Sequence, residues 1–111
     1  MIPDEGKSIS WEDLNWKDVD KLTKTMKMAV VPTAACEQHG PYLALAVDTI
    51  DCFEVAKRVS AKTQVPVVPA LMYGWSQSHG NFPGTFSIRP ETMLRMICEI
   101  VEWLTGGLQY G

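Results

Sequence analysis

The stretch Met28-Ala-Val-Val-Pro-Thr33 is a short apolar run in which polar and apolar residues do not alternate. Such a run is typical of a strand that is buried on both faces of a parallel sheet. A second run of this kind, Val65-Pro-Val-Val-Pro69, lies further along the chain. Between the two, apolar residues recur at three-residue steps from Asp48 to about Lys62, which indicates an amphipathic helix. The sequence therefore predicts a βαβ unit with parallel strands.

The segments that flank this unit predict further helices and a long loop. Before it, Ser10-Trp-Glu-Asp13 resembles a helix capping box, so we expect short helical turns from that point. After it, the segment from Met72 to Pro90 is rich in Gly, Ser, Asn, Pro and aromatic residues. Compact domains seldom use so long a connection unless it builds a site, so this segment is a candidate functional loop. Pro90 then opens a second helix, which Gly106-Gly107 ends.

The order of elements predicts an α/β fold. A helix in such a fold normally leads into another parallel strand, yet only Leu108-Gln-Tyr-Gly111 follows the second helix. A length of 111 residues alone would suit one small domain. We instead expect residues 1–111 to be the N-terminal portion of one domain, incomplete at its C-terminus.

Composition excludes several classes of protein. Hydrophobic residues make up 46% and charged residues 21% of the chain, as in ordinary globular domains. With 10 basic and 13 acidic residues, the net charge is -3 and no basic block is present, which argues against a nucleic-acid partner. No apolar stretch approaches the roughly 18 residues that cross a bilayer, and the first residues lack the apolar core of a signal peptide. We therefore expect a cytoplasmic protein with no membrane partner.

The densest group of metal-capable side chains is in Cys36-Glu-Gln-His-Gly-Pro41, directly after the first predicted strand. Ligands of open α/β sheets bind at this end of the strands. Glu37 and His39 are two residues apart, so an extended backbone projects them to one side, and Asp48 begins the crossover helix at the same edge. Two carboxylates and an imidazole suit Zn, Mn or Fe(II). The spacing also arises by chance, and a solvated Glu beside a backbone-bonded His is the alternative.

Five short motifs in a fixed order resemble the creatininase (creatinine amidohydrolase) superfamily, and the similarity runs from about Trp11 to the last residue. The motifs are Glu37-Gln-His-Gly-Pro41, Asp48-Thr49, Tyr73-Gly74, Phe82-Pro-Gly-Thr85 and Ser87. The resemblance implies a three-layer α/β/α fold with a mostly parallel sheet. It covers the N-terminal portion of that fold only, because the family's later motif Asn-Gly-His-Gly-Gly-Asn is absent.

The resemblance also implies a reaction. In the family, the matching residues bind two divalent metal ions, so Glu37 and His39 would bind one ion each and Asp48 would bridge them. Such a pair activates a bridging water and clamps the oxygen that becomes anionic when a carbonyl is attacked. The implied reaction is hydrolysis of a non-peptide C–N bond in a small cyclic or linear amide, such as creatinine or a formamide. Tyr42 and Ala44 replace a His and a Pro of the family, which leaves the substrate open.

The loop after the second strand would line the substrate cavity in this family. His79 is the candidate catalytic residue, because an imidazole can carry a proton near neutral pH, and a polar loop His without a role is the alternative. The candidate substrate-binding residues are Tyr73, Trp75, Ser78, Phe82, Gly84 and Thr85. Aromatic residues under a long loop also serve as packing, and Gly84 also suits a turn.

The leading hypothesis is a metal-dependent amidohydrolase of the creatininase type that acts on a small-molecule amide. A second hypothesis is a non-catalytic remnant that keeps the fold. A third is a half-enzyme subunit whose metal site is completed by a complementary chain. The resemblance also implies a homo-oligomer.

Overall fold

Three helices dominate the computed structural model, which describes residues 6–106. Helix α1 spans Trp16–Thr23, α2 spans Val47–Thr63 and α3 spans Pro90–Leu104. Single 3-10 turns occupy Trp11–Asp13 and Gln77–His79. The structure confirms both predicted amphipathic helices, including the start of α3 at Pro90, whose missing N–H costs nothing at a first helical position.

Three backbone segments pair in parallel: the two segments of the predicted βαβ unit, around residues 30–33 and 67–71, and a third at Ser10, which the sequence did not predict. Val67 lies between Ser10 and Val30 and forms a parallel bridge with each, and Thr33 pairs with Leu71 in the same sense. These are isolated bridges rather than continuous strands, and residues 6–106 contain no longer ladder. Proline explains the interruptions, because Pro32, Pro66 and Pro69 have no N–H to donate. Parallel pairing is therefore confirmed, while the three-layer sheet stays a prediction.

The core lies where α2 packs against residues 67–71, the segment between the other two paired segments. Its buried apolar side chains are Ala56, Val67, Val68 and Leu71. Ser60 on α2 is fully buried as well, and its Oγ accepts a hydrogen bond from the backbone N–H of Ile9 at 2.9 Å. A buried hydroxyl needs such a partner, so this bond holds the segment around Ile9 and Ser10 against α2.

Helix α3 contributes no buried residue. Its apolar side chains Leu94, Ile97, Val101 and Leu104 are exposed, with Leu94 at 65%. The sequence predicts a helix with one apolar face, and residues 6–106 leave that face largely uncovered. No helix in this part of the chain combines the length and apolarity needed to cross a membrane.

The predicted capping box at Ser10 is wrong. The Ser10 side chain makes no cap hydrogen bond to the 3-10 turn that follows it. The reciprocal pair forms one turn later, where Asn15 Oδ1 accepts from the N–H of Asp18 at 2.9 Å and Asp18 Oδ2 accepts from the N–H of Asn15 at 3.1 Å. Because Asn and Asp are both short acceptors, they serve this motif as Ser and Glu do.

The long loop folds back beside the segment that precedes α2. The N–H of Phe86 donates to the carbonyl of Cys36 at 3.0 Å, and the N–H of Ile88 donates to the carbonyl of Gly74 at 2.8 Å. Gly74 packs so closely that a Cβ there would lie 2.8 Å from the carbonyl oxygen of Ala34. A glycine is therefore required where the loop crosses the chain just after the paired residues 30–33.

Candidate metal centre

The structure brings Glu37, His39 and Asp48 together. One ligand atom of each lies within 4.8 Å of the others, and all three side chains are half-buried. Glu37 and His39 come from the irregular segment that follows the paired residues 30–33, and Asp48 lies in the first turn of α2. The local reason is the parallel pairing, which ends at Ala34 and sends both parts of the chain to one edge.

His39 is held in one orientation by two contacts. Its Nδ1 lies 3.0 Å from the backbone carbonyl of Glu37, and its Nε2 lies 3.4 Å from Asp48 Oδ1. A carbonyl only accepts, so Nδ1 must carry a proton and Nε2 is the atom left to bind a metal ion. The Glu37 carbonyl is also the main reason that the pKa of His39 is raised, and the Asp48 carboxylate adds to it.

Glu37 lies in a polar surrounding that favours its charged form. The hydroxyl of Ser76 is the largest cause of its lowered pKa, burial acts in the opposite direction, and His79 lowers the pKa further. Ser76 is only 2% exposed, and its Oγ has no partner at full hydrogen-bond geometry in the described part of the chain. A hydroxyl close to a carboxylate favours the ionised form of that carboxylate.

His79 reaches the same centre from the long loop. Its Nε2 lies 3.9 Å from Glu37 Oε1, and its Nδ1 lies 2.7 Å from Nε2 of the Gln38 side chain. The ring is about one-third exposed, so it borders both the trio and solvent. The structure thus places the predicted catalytic residue beside a candidate ligand, and its role in catalysis stays a prediction.

Two of the predicted substrate-binding residues lie against the segment that carries Glu37 and His39. Thr85 Oγ1 accepts a hydrogen bond from the backbone N–H of Gln38 at 3.1 Å, and the carbonyl of Gly84 accepts one from the thiol of Cys36 at 3.7 Å. Gly84 has a φ of 90°, and a Cβ there would lie 2.6 Å from a methyl carbon of Leu45. Gly84 therefore suits a turn with a close approach, and its role in substrate binding stays a prediction.

The other four make no hydrogen bond to Glu37, His39 or Asp48 among the described residues. Trp75 lines the cavity that Glu37 and Asp48 also line, and it is 63% exposed. Tyr73 instead packs edge-on against Phe86, with ring centroids 5.5 Å apart. The remaining two, Ser78 and Phe82, are exposed.

Sequence reasoning assigned no role to Ser76 and Gln38, which both contact the centre. Gln38 lies between two candidate ligands, so on an extended backbone its side chain points away from theirs and toward the loop. That alternation was the available signal. No local signal existed for Ser76, because its neighbour Glu37 is far away in sequence and the two meet only in the fold.

The trio has the chemistry of a divalent metal site. Two carboxylates and an imidazole Nε2 are the ligand types that zinc, manganese and iron share. The hydrogen bond from His39 Nδ1 to a carbonyl is the outer contact that metal-binding histidines usually make. The buried Oγ of Ser76, which has no partner at full hydrogen-bond geometry among the described residues, adds a polar atom beside Glu37. The residues present therefore fit a bound divalent ion.

Comparisons with known proteins point in one direction. The creatininase family model, described as creatinine amidohydrolase, matches residues 12–107. The creatinine amidohydrolase of Pseudomonas putida is 31% identical over 105 residues, which cover 89% of this chain and 40% of that protein. The mycofactocin precursor peptide peptidase of Mycobacterium tuberculosis is 35% identical over 89 residues, which cover 71% of this chain and 36% of that protein.

A solved structure named "Creatininase Mn" superimposes with a TM-score of 0.83 at 30% identity. The match covers 89% of this chain and 41% of that one. The chain therefore spans about two-fifths of the length of the relatives that it matches.

Proposed function

The chain belongs to the creatininase family, and from that premise we propose that it provides the metal-binding part of an amidohydrolase. The proposed reaction is hydrolysis of a non-peptide C–N bond in a small cyclic or linear amide, of the creatinine or formamide kind. The observation that supports the proposal most is the convergence of Glu37, His39 and Asp48 within 4.8 Å. Residues 1–111 would form the N-terminal portion of one amidohydrolase domain.

In this proposal, Glu37 and His39 would each hold one divalent ion, and Asp48 would be a ligand shared by both. The ions are Zn, Mn or Fe, since the three share carboxylate and imidazole ligands. When bound, they polarise the amide carbonyl and lower the pKa of a water molecule. The lowered pKa of Glu37 keeps its carboxylate ionised for this task, and the carbonyl of Glu37 keeps the ligand atom of His39 turned toward Asp48.

The long loop contributes the remaining groups. His79 is the proposed proton carrier, because it borders Glu37 and solvent and an imidazole exchanges protons near neutral pH. Trp75 would stack on a flat substrate from the wall of the shared cavity. Tyr73, Ser78, Phe82, Gly84 and Thr85 complete the proposed substrate-binding set.

A second candidate function is a half-enzyme or a non-catalytic remnant. Two observations favour it: the chain spans about two-fifths of its relatives' length, and the apolar face of α3 is exposed. A complementary chain, or further copies in a homo-oligomer, would cover that face and supply the remaining metal ligands. We propose no nucleic-acid or membrane partner and a cytoplasmic location.

A hydrolysis assay separates these candidates. The 111-residue chain is loaded with Mn²⁺ or Zn²⁺ and incubated with creatinine, an N-formyl amine and a short peptide, because one relative is named a peptide peptidase. Product release is followed by mass spectrometry, with Asp48→Asn as the negative control. Metal-dependent release from creatinine or the formyl amine, lost in Asp48→Asn, supports the amidohydrolase.

The other outcomes are equally informative. Metal binding without hydrolysis favours the half-enzyme or remnant, and release from the peptide alone redirects the proposal to peptide bonds. A chain that binds no metal contradicts an enzyme that works alone, and it favours the remnant or a half-enzyme whose metal site forms only with the complementary chain.

A further inference from the structure

Gln38 has a side chain that joins two parts of the site. Its Oε1 accepts a hydrogen bond from the backbone N–H of Gly40 at 2.9 Å, and its Nε2 lies 2.7 Å from Nδ1 of His79. Its backbone N–H donates to Thr85 Oγ1 at 3.1 Å. Gln38 therefore ties the segment with the candidate ligands to the long loop at two points.

The backbone of Gly40 fixes which way the Gln38 amide faces. A backbone N–H can only donate, so the atom that it meets must be the amide oxygen. The NH₂ group is then the end that faces His79. An amide NH₂ can only donate, so Nδ1 of His79 must accept. A neutral imidazole that accepts at Nδ1 carries its proton on Nε2.

The proton on Nε2 lies on the side of the ring that faces the site, because Nε2 is the atom 3.9 Å from Glu37 Oε1. His39 is in the opposite state, since the Glu37 carbonyl holds the proton on its Nδ1 and frees Nε2. The only two histidines of the chain thus present different atoms to one centre. His39 offers a lone pair, which suits a metal ion, and His79 offers an N–H, which suits an oxygen.

We infer that Gln38 is a positioning residue that holds His79 in the Nε2–H tautomer and so makes it a hydrogen-bond donor to the site. The inference rests on the proposed function for its consequence: a donor at this place would stabilise the oxygen of an amide as negative charge develops. The tautomer itself depends on neither metal nor substrate, so it can be tested separately.

The test is a long-range ¹H–¹⁵N correlation spectrum of the ¹⁵N-labelled, metal-free chain at about pH 9, where ordinary imidazoles, with a pKa of about 6.5, are neutral. Protonated and unprotonated ring nitrogens resonate far apart. His79→Gln assigns the two rings. We expect His39 to carry its proton on Nδ1 and His79 on Nε2, with a through-hydrogen-bond ¹⁵N–¹⁵N coupling between the Gln38 side chain and Nδ1 of His79.

Gln38→Glu then tests the cause. The carboxylate keeps an acceptor for Gly40 but offers a second acceptor to the ring, so the proton should appear on Nδ1 of His79. The matched control is Gln77→Glu, which adds the same charge two residues from His79, where Gln77 contacts Trp75 instead. We expect Gln77→Glu to leave the Nε2–H signature of His79 unchanged. In Gln38→Glu, an unchanged His39 signature indicates that the structure around residue 38 is intact.

Three results would overturn the inference: a wild-type His79 protonated at Nδ1, no coupling to Gln38, or an Nε2–H signature that survives Gln38→Glu with the His39 signature intact. None of them bears on metal binding by the trio. Conversely, the expected tautomers together with no metal binding would leave the inference standing and contradict the proposed function.

Discussion

Two regions of the molecule differ in the contacts that residues 6–106 provide for them. One is the edge that carries the trio, and the other is the apolar face of α3. At the edge, Glu37 and His39 have partners for both their charge and their orientation. On α3, Leu94 and Val101 are 65% and 47% exposed, although the helix itself is regular. Chemical groups can be arranged by a few loop contacts, whereas an apolar face needs a whole partner element. Within residues 6–106, the contacts that orient the candidate ligands are therefore present, whereas the contacts that would bury the apolar face of α3 are not.

The largest expected effect is on metal affinity at the edge. Asp48→Asn removes a charge and a ligand atom from the trio, and we expect the affinity for Zn²⁺ or Mn²⁺ to fall by more than the roughly 10–100-fold that loss of an outer contact costs. Isothermal titration calorimetry measures the change. Glu91→Gln, at an exposed carboxylate in the first turn of α3, is the matched control and should leave the affinity unchanged. Equal losses in the two variants would contradict the assignment of Asp48.

The next effect compares the two regions by stability. Val67 is 1% exposed, so we expect Val67→Ala to lower the free energy of unfolding by about 1–3 kcal/mol. Leu94→Ala on the exposed face should change it by no more than about 0.5 kcal/mol. Urea denaturation followed by circular dichroism measures both. A loss in Leu94→Ala as large as that in Val67→Ala would show that something covers the α3 face in solution.

Ser76→Ala tests the support of the edge more gently. The Ser76 hydroxyl is the main cause of the lowered pKa of Glu37, so the variant should raise that pKa toward its ordinary value. A group whose pKa is lower in the folded state than in the unfolded state stabilises the fold at pH values above its unfolded-state pKa. This stabilisation is lost as the pH falls through the folded-state pKa. The variant should therefore lose this contribution at a higher pH. A ¹³C titration of the Glu37 carboxyl measures the shift.

Ser78→Ala is the control for this experiment, since Ser78 is exposed in the neighbouring 3-10 turn. If the two serine variants titrate alike at Glu37, the hydroxyl of Ser76 is not the cause.

The smallest effect is the pH dependence that arises from His39. Its pKa is raised in the fold by the Glu37 carbonyl and by Asp48. A group whose pKa is higher in the folded state stabilises the fold at pH values below its unfolded-state pKa, which is about 6.5 for histidine. This stabilisation is lost as the pH rises through the folded-state pKa. The metal-free wild type should thus become slightly less stable across neutral pH, while His39→Gln should not. With zinc the sign should reverse, because the ligand must be neutral.

The helices and the location of the site could be predicted from the sequence. Apolar spacing predicted α2 and α3, because each helix has an amphipathic pattern that local periodicity records. The resemblance to a family, together with the expected meeting of the paired segments at one edge, pointed to Glu37, His39 and Asp48 as a group.

What could not be predicted depends on contacts between distant residues or on where regular structure begins and is interrupted. Ser76 and His79 reach Glu37 only because the loop folds back along Cys36. The capping box forms at Asn15 and not at Ser10 because Ser10 precedes only a single 3-10 turn, whereas the α-helix begins at Trp16. Prolines inside the paired segments allowed parallel bridges and prevented the continuous strands that an apolar run suggests.

The most direct test of the central claim is the metal content of the purified chain. Wild type and the triple variant Glu37→Gln/His39→Gln/Asp48→Asn are loaded with Mn²⁺ or Zn²⁺, dialysed side by side and measured by inductively coupled plasma mass spectrometry, with circular dichroism as the check on folding. We predict that the wild type retains at least one equivalent of metal and that the folded triple variant retains none. Equal metal in both proteins, or none in the wild type, would contradict the claim that these three residues form a metal centre.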